Sequence, residues 1–357
     1  MRVIGLMSGT SLDGIDAALI ETDGVDQVQA GPSLTRPYPG EFREALRAIL
    51  GATEPSECVR AVERRLTELH AEAVAELRRR HDLKDIELLG FHGHTILHRP
   101  DEGRTWQIGD GALLARLTGV PVVSDFRTAD VAAGGEGAPL VPVYHRALVA
   151  SLRKPLAILN IGGVANVTWI GAGEADLVAF DTGPGNAPID DWMRAKAGSG
   201  YDEGGLTALG GQIDHAFVER FLDHAFFARR PPKSLDRDDF ARFRPDHLGI
   251  EDGAATLAAC TVAAVLTARR HLPAQPVRWL VTGGGRHNRA LMEGLAAGTN
   301  VPVEPVDVMG WDGDALEAQA FGYLAVRSLR GLPLSFPGTT RVPAPQAGGR
   351  LDRPPVF

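Results

Sequence analysis

One piece of local text occurs twice in this chain: an apolar strand, a turn of small residues, and a second apolar strand. The first copy spans residues 3–20, with Val3–Leu6, the turn Ser8-Gly9-Thr10-Ser11, two acids (Asp13 and Asp16) and the run Ala17–Ile20. The second runs from Pro155–Ile161 through Gly162-Gly163-Val164-Ala165-Asn166 to Val167–Ile170. Apolar runs separated by Gly/Ser turns read as β-hairpins rather than helix starts. The duplication is weak and has no fixed period. The first hairpin tip combines Gly9, Gly14, three hydroxyls and two carboxylates, which offers backbone N–H donors to phosphate and oxygen ligands to a hard cation. Further turns of this kind downstream bring the total to three, and three on one scaffold suggest a nucleotide.

At 357 residues the chain can build two domains, or one large one. The 37 basic against 45 acidic residues leave a net charge of −8, with no basic patch evident in the sequence, so nucleic acid is not an expected partner. Met1-Arg2 leads straight into a short apolar strand, so no signal peptide is expected. No uninterrupted apolar run approaches membrane-spanning length, and a cytoplasmic protein without a membrane partner is predicted. Cys58 and Cys260 are expected to be buried, reduced thiols.

Residues 41–82 carry apolar side chains at helical spacing and predict one or two amphipathic helices ending near His81. A strand at Ile86–Gly90 then runs into the turn Phe91-His92-Gly93-His94-Thr95. Strands are expected at Trp106–Gly109 and Val120–Ser124, with a helix at Asp110–Thr118 between them. The Gly-rich segment Ala132–Pro139 interrupts regular structure and places a domain boundary nearby. Leu177–Phe180 is a strand delivering Asp181-Thr182-Gly183-Pro184-Gly185-Asn186, and Val277–Val281 opens into Thr282-Gly283-Gly284-Gly285. Helices are expected around 188–197, 210–227, 253–271, 286–297 and 314–330, followed by an irregular Pro-rich tail. Alternating strands and helices make this an α/β protein.

Neither G-x-x-x-x-G-K-[ST] nor G-x-G-x-x-G after a strand occurs, so the phosphate grip must come from other turns. Asp181, at a strand end before a Gly-rich turn, is placed as a general base or a magnesium ligand; the bland alternative is a cap on the next helix. Gly283, Gly284 and Gly285, followed by Asn288, allow a flat ring or phosphate close to the main chain, as does any tight strand-to-helix connection. His92, His94 and His98 raise a zinc reading, ranked below a substrate-facing loop. Arg127 could grip a carboxylate in bidentate fashion or form a structural ion pair. Glu317 is one acid on a helix of small residues, and a solvated helix face is its default.

Taken together, GLMSGTSLDGID (Gly5–Asp16), FHGHT (Phe91–Thr95), QIGD (Gln107–Asp110), DFRTADVAAGGEGAPLVP (Asp125–Pro142), NIGGVANVT (Asn160–Thr168), FDTGPGN (Phe180–Asn186), TGGGRHN (Thr282–Asn288) and EAQAFGYLA (Glu317–Ala325) resemble the anhydro-N-acetylmuramic acid kinases, a branch of the sugar kinase/Hsp70/actin superfamily. The family usually carries Gln where His94 stands. The resemblance implies two actin-like (ribonuclease H-like) domains flanking a deep nucleotide and substrate cleft: 1–130, with 335–357 packed on it, and 131–334. It implies ATP and Mg²⁺, with ATP contacts at Gly9, Thr10, Ser11, Leu12, Asp13, Gly14, Ile15, Asp16, Gly162, Gly163, Asn166, Gly283, Gly284, Gly285 and Asn288. Asp13 and Asp16 would hold the metal, in part through water. Asp181 matches the family's catalytic base, Glu317 a substrate-contacting acid that helps orient water, and Thr95, Arg127, His92 and Gly183 the sugar side. A homodimer is also implied.

The implied reaction hydrolyses the 1,6-anhydro bridge and phosphorylates O6, giving N-acetylmuramic acid 6-phosphate in cell-wall recycling. The alternatives are an ordinary sugar hydroxyl kinase, an ATP-driven chaperone-like protein, and a zinc hydrolase using His92, His94 and Asp181. The chaperone-like reading needs an additional substrate domain, which is not expected within 357 residues.

Overall fold

The computed structural model describes residues 1–9, 12–173, 176–235 and 237–355. Its strands are β1 (Arg2–Ser8), β2 (Gly14–Thr22), β3 (Val28–Pro37), β4 (Leu88–Arg99), β5 (Arg104–Ile108), β6 (Val122–Ser124), β7 (Leu156–Ile161), β8 (Val164–Ile170), β9 (Leu177–Pro184), β10 (Trp279–Thr282), β11 (Val303–Pro305) and β12 (Arg350–Asp352). They form two sheets, in two compact units: Met1–Ser151 with the segment from Ala315 onward, and Leu152–Asp314.

The sheets repeat one topology. In the first, β3-β2-β1 is an antiparallel meander, continued by β4 parallel to β1 and β6 parallel to β4. In the second, β9-β8-β7 is the same meander, continued by β10 parallel to β7 and β11 parallel to β10. An order of 3-2-1-4-5 with three antiparallel and two parallel strands is the ribonuclease H-like, actin-like plan, built twice. The twice-written hairpin is therefore the start of each copy.

In the first unit a long helix, Glu57–Arg80, buries Val59, Val62, Leu66, Leu69, Val74 and Leu77 at helical spacing. Ser56 caps it by accepting from the Val59 N–H at 3.3 Å, and Arg78–Arg80 sit at its C-terminal end, where cations are favoured. The helix Leu316–Leu329 lies so close to β1 and β4 that side chains are excluded: a Cβ on Gly5 would stand 1.7 Å from the Ala318 carbonyl oxygen, and one on Gly90 2.1 Å from that of Phe321.

In the second unit the helix Ile250–Ala268 is the central core element, and Gly253 on it accommodates the Trp192 ring. Ile250–His271 has the length and mean hydropathy (1.4) of a membrane span, but most of it is buried inside this unit. Its apolarity is that of a core helix, which the expectation of no such run had overlooked.

The units divide at 151/152 and 314/315, whereas divisions near 130/131 and 334/335 were expected. Residues 131–151 remain with the first unit because Tyr144, on the helix Pro142–Leu148, donates to Gln319 Oε1 at 2.8 Å and stacks on Tyr323. The helix Leu316–Leu329 stays there through its contact with β1 and β4. The tail is mostly irregular, as expected, but it is anchored: β12 pairs antiparallel with β6, and Ser335, Thr339 and Thr340 are buried.

Three further expectations change. The helix expected over 210–227 is three pieces, Leu206–Gly210, His215–Leu222 and Ala225–Ala228, because Asp214 and His224 each cap a new start. β4 runs on through Phe91–Thr95 to Arg99, absorbing Gly93 as a bulge at φ +73°. Cys58 is exposed, and only Cys260 is buried.

Candidate active site

The hairpin between β1 and β2 is held from beneath. The Leu12 N–H donates to the Gly9 carbonyl at 3.2 Å, and the Tyr38 N–H to the Asp13 carbonyl at 3.0 Å. Gly14 approaches β3 too closely for a side chain, since a Cβ would lie 2.4 Å from the Arg36 oxygen. Leu12 and Ile15 face the core, so their side chains are withdrawn from solvent and only their main chain is available to a ligand. Asp13 is exposed, and Asp16 Oδ1 accepts from Thr35 at 2.6 Å. Thr10 and Ser11, expected at this tip, lie outside the described residues.

The bulge at Gly93 sends His92 and His94 to opposite faces of the sheet. His94 meets Ser8, with Nδ1 2.8 Å from its hydroxyl, and Ser8 in turn bonds Tyr38 Oη at 2.6 Å. Burial pushes the His94 imidazole down to about 4, so it is neutral. His92 faces the helix Leu316–Leu329 and stacks on Phe321 at 4.4 Å. Its Nδ1 bonds the Gly93 carbonyl at 2.9 Å, while Nε2 accepts from Arg127 Nε–H and Nη2–H at 3.1 and 3.0 Å. Burial and the neighbouring guanidinium hold His92 neutral, well below its ordinary pKa.

Both His92 nitrogens are thus committed, one of them to a cation, which leaves no lone pair for zinc. Among the described residues no cluster of three His, Cys, Asp or Glu could hold a metal ion. Arg127 also donates to the Gly137 carbonyl at 2.7 Å, and burial lowers its pKa to about 10. The alternative of a structural ion pair gives way to two neutral acceptors. Thr95 accepts from Gln107 at 3.2 Å. His98 is exposed and bonds Thr105. Glu317, at the start of its helix, has an exposed side chain, yet the protein around it withholds enough water to raise its carboxyl; Arg127 opposes this and Asp16 adds to it.

In the second unit β9 runs on to Pro184, so Asp181 sits within the strand rather than at its end. Its position is doubly fixed by the segment alongside: the Asp181 N–H donates to the Lys233 carbonyl at 2.9 Å, and the Leu235 N–H to Asp181 Oδ2 at 2.8 Å. Desolvation raises the carboxyl to about 7, with the Leu235 N–H and then Lys233 pulling it down. Asp181 caps no helix; the next one starts at Ala187 behind Asn186. Lys233 was not foreseen. It is 5% exposed, its ammonium donates to the Phe226 carbonyl at 3.0 Å and lies 4.2 Å from the centre of that ring.

The two glycine turns of this unit lock together. Gly162 and Gly163 accept from the backbone of Asn186 and Gly185 at 2.7 and 2.9 Å, and Asn186 Nδ2 donates to the Ile161 carbonyl at 3.0 Å. Gly283 has φ +74°, and a Cβ there would strike Asn160 Oδ1 at 2.4 Å; Gly285 is shut against Ile161, while Gly284 is open. Asn166 pairs with Asp181 across β8 and β9, and Gly183 packs on Ala264. Asn288 is buried and spends Oδ1 capping Leu291, at the start of the helix Arg289–Thr299. A second residue missed in the sequence, Arg286, is buried and bonds Asp307, Asp314 and the Gly283 carbonyl at 3.0, 2.8 and 3.1 Å, pinning the turn.

A profile of the family described as anhydro-N-acetylmuramic acid kinase matches residues 1–350. Proteins of that name from Rhizorhabdus wittichii and Paramagnetospirillum magneticum are 53% and 56% identical to this chain, covering 99% of it and 99% and 100% of their own lengths. The one from Rhodospirillum rubrum is 56% identical over 97% of this chain and 92% of its own.

Proposed function

The chain belongs to the anhydro-N-acetylmuramic acid kinase family and is a phosphotransferase acting on an alcohol group; from that premise we propose that it couples hydrolysis of the 1,6-anhydro bridge to phosphorylation of O6. The reactants are 1,6-anhydro-N-acetylmuramic acid, water and ATP; the products are N-acetylmuramic acid 6-phosphate and ADP. Water forms a bond to C1 and the C1–O6 bond breaks. O6 then attacks the γ-phosphorus and ADP leaves, the water's proton having passed to a carboxylate.

The observation that supports this reading best is Asp181, a carboxylate with a pKa near 7, held at a fixed angle by the Leu235 N–H. A general base is most effective when its pKa lies close to the working pH. Arg127 is our choice for the lactyl carboxylate, because its guanidinium is oriented by His92 and Gly137 before any ligand arrives. Thr95 and Gly183 serve the sugar, and Glu317 helps orient the water. The hairpin Gly9–Asp16 and the turns Gly162-Gly163 and Gly283–Gly285, with Asn166 and Asn288, serve ATP through backbone N–H groups. Asp13 and Asp16 are oxygen donors of the kind Mg²⁺ prefers, and the ion would neutralise phosphate charge when bound. A homodimer and a cytoplasmic setting, in cell-wall recycling, complete the proposal.

The test is turnover of 1,6-anhydro-N-acetylmuramic acid with Mg-ATP in ¹⁸O-labelled water. Label at C1 of a 6-phosphorylated sugar is expected. Phosphorylation without label would indicate an ordinary hydroxyl kinase and overturn the coupled reaction.

A further inference from the structure

Arg127 owes its position to a carboxylate that it does not bond. Its Nη1–H donates to the Gly137 carbonyl at 2.7 Å, and the Gly137 N–H donates to Asp130 Oδ1 at 2.6 Å. The other oxygen of Asp130 accepts from Thr340 Oγ1 at 2.6 Å and from the Ser335 hydroxyl. Asp130 is 2% exposed, so one buried carboxylate joins the Gly-rich loop to the C-terminal segment. A second tie runs beside it: the Glu136 N–H donates to the Thr340 carbonyl at 2.6 Å, and the Glu136 carboxylate pairs with Arg341 at 3.3 Å.

The loop has little slack. Gly137 has φ +70°, and a Cβ on it would stand 2.6 Å from Val131 Cγ2, so the carbonyl that receives Arg127 is fixed by backbone shape as well as by Asp130. A carboxylate is costly to bury, and this one is satisfied entirely by neutral donors, two of them hydroxyls from a segment about 200 residues away along the chain. A stabilising clamp needs no carboxylate at this point. One set a single loop residue away from a guanidinium also attracts it electrostatically.

We propose that Asp130, fastened by Ser335 and Thr340, is the positioning residue that aims Arg127 at an acidic sugar and so sets the preference for a carboxylate-bearing over a neutral anhydrosugar. The inference rests on the reading of Arg127 as the contact to the sugar's carboxylate. The C-terminal segment then takes part in substrate selection without touching substrate.

The experiment compares kcat/KM for 1,6-anhydro-N-acetylmuramic acid and for its neutral analogue, 1,6-anhydro-N-acetylglucosamine, together with KM for ATP. Asp130→Ala is expected to lower the acidic-to-neutral ratio by about 10–100-fold, and the pair Ser335→Ala with Thr340→Val by about 3–10-fold, with KM for ATP within about twofold of the parent. The double variant keeps the Gly137–Asp130 bond and stays informative should Asp130→Ala fail to fold. An equal loss on both sugars, or no loss in the double variant, would mean a structural clamp and overturn the proposal. Arg127→Ala separates the two readings. If it leaves the ratio intact, the Arg127 assignment itself falls and takes the proposal with it. If it collapses the ratio while the Asp130 and hydroxyl variants do not, only the positioning role falls.

Discussion

The ionisation of Asp181 makes a quantitative demand on the pH profile. Burial raises this carboxyl to about 7, from an ordinary value of 3.8. If its ionised form is the base, kcat/KM follows the ionised fraction, which drops from about 0.9 at pH 8 to about 0.01 at pH 5, a loss of roughly 90-fold. An aspartate at its ordinary value would lose only about 6% over the same range. ADP release should be quantified directly by ion exchange, since coupling enzymes have pH limbs of their own. Asp181→Asn keeps the acceptor for the Leu235 N–H, so it should fold, bind both substrates and lose turnover by several decades. It makes a second demand, on stability. The native state holds this proton more tightly than the unfolded chain, so stability falls as pH rises from about 4 through about 7. The asparagine imitates the protonated form, and its Tm should exceed that of the parent at pH 8 and converge on it near pH 4. A profile flat between pH 5 and 8 would refute the base assignment. A variant less stable than the parent at pH 8 would refute burial as the dominant influence on this carboxyl.

Other perturbations test neighbouring parts of the argument. Lys233→Met removes the buried ammonium that helps hold Asp181 down, so the acid limb of kcat/KM should move up by about half a unit or more; Lys233→Arg should restore it, and an unmoved limb in the methionine variant would deny the coupling. His94→Gln should keep activity within about threefold, because the ring is neutral and an amide can still meet the Ser8 hydroxyl; a loss of two decades would give the imidazole a role of its own. Gly5→Val should abolish soluble expression or cost several kcal/mol in urea unfolding, since even a Cβ there would stand 1.7 Å from the Ala318 oxygen; near-parental stability would contradict the close helix–strand packing.

The sequence foretold what local patterning controls and missed what distant segments impose. Alternation, turn glycines and apolar runs were enough to place the hairpin that opens each meander, because each is written in adjacent residues, but the third strand of the first meander, Val28–Pro37, was not foreseen. The helix Leu316–Leu329 was visible too, but its attachment to the first unit was not. That depends on Gly5 and Gly90 leaving room for it, and a glycine inside a strand looks the same whether it meets a helix or a bulge. The Gly93 bulge is the instructive error. Strict alternation puts His92 and His94 on one face and makes a zinc pair conceivable, whereas one residue with positive φ separates them and gives each a different partner. Similarly, Asp181 was legible as an acid at the end of a strand, but its pKa is set by burial, tempered by Leu235 and Lys233, which lie more than fifty residues further on. Asp130 was unreadable for the same reason: its partners are hydroxyls in a Pro-rich tail that looked irregular. Residue type and spacing therefore identified groups that could do chemistry, while the position and protonation of each were decided by tertiary contacts. The residues most worth mutating next are accordingly the buried ones that fix Arg127 and Asp181, since a displaced guanidinium or a carboxyl with the wrong pKa would disable the site with every motif intact.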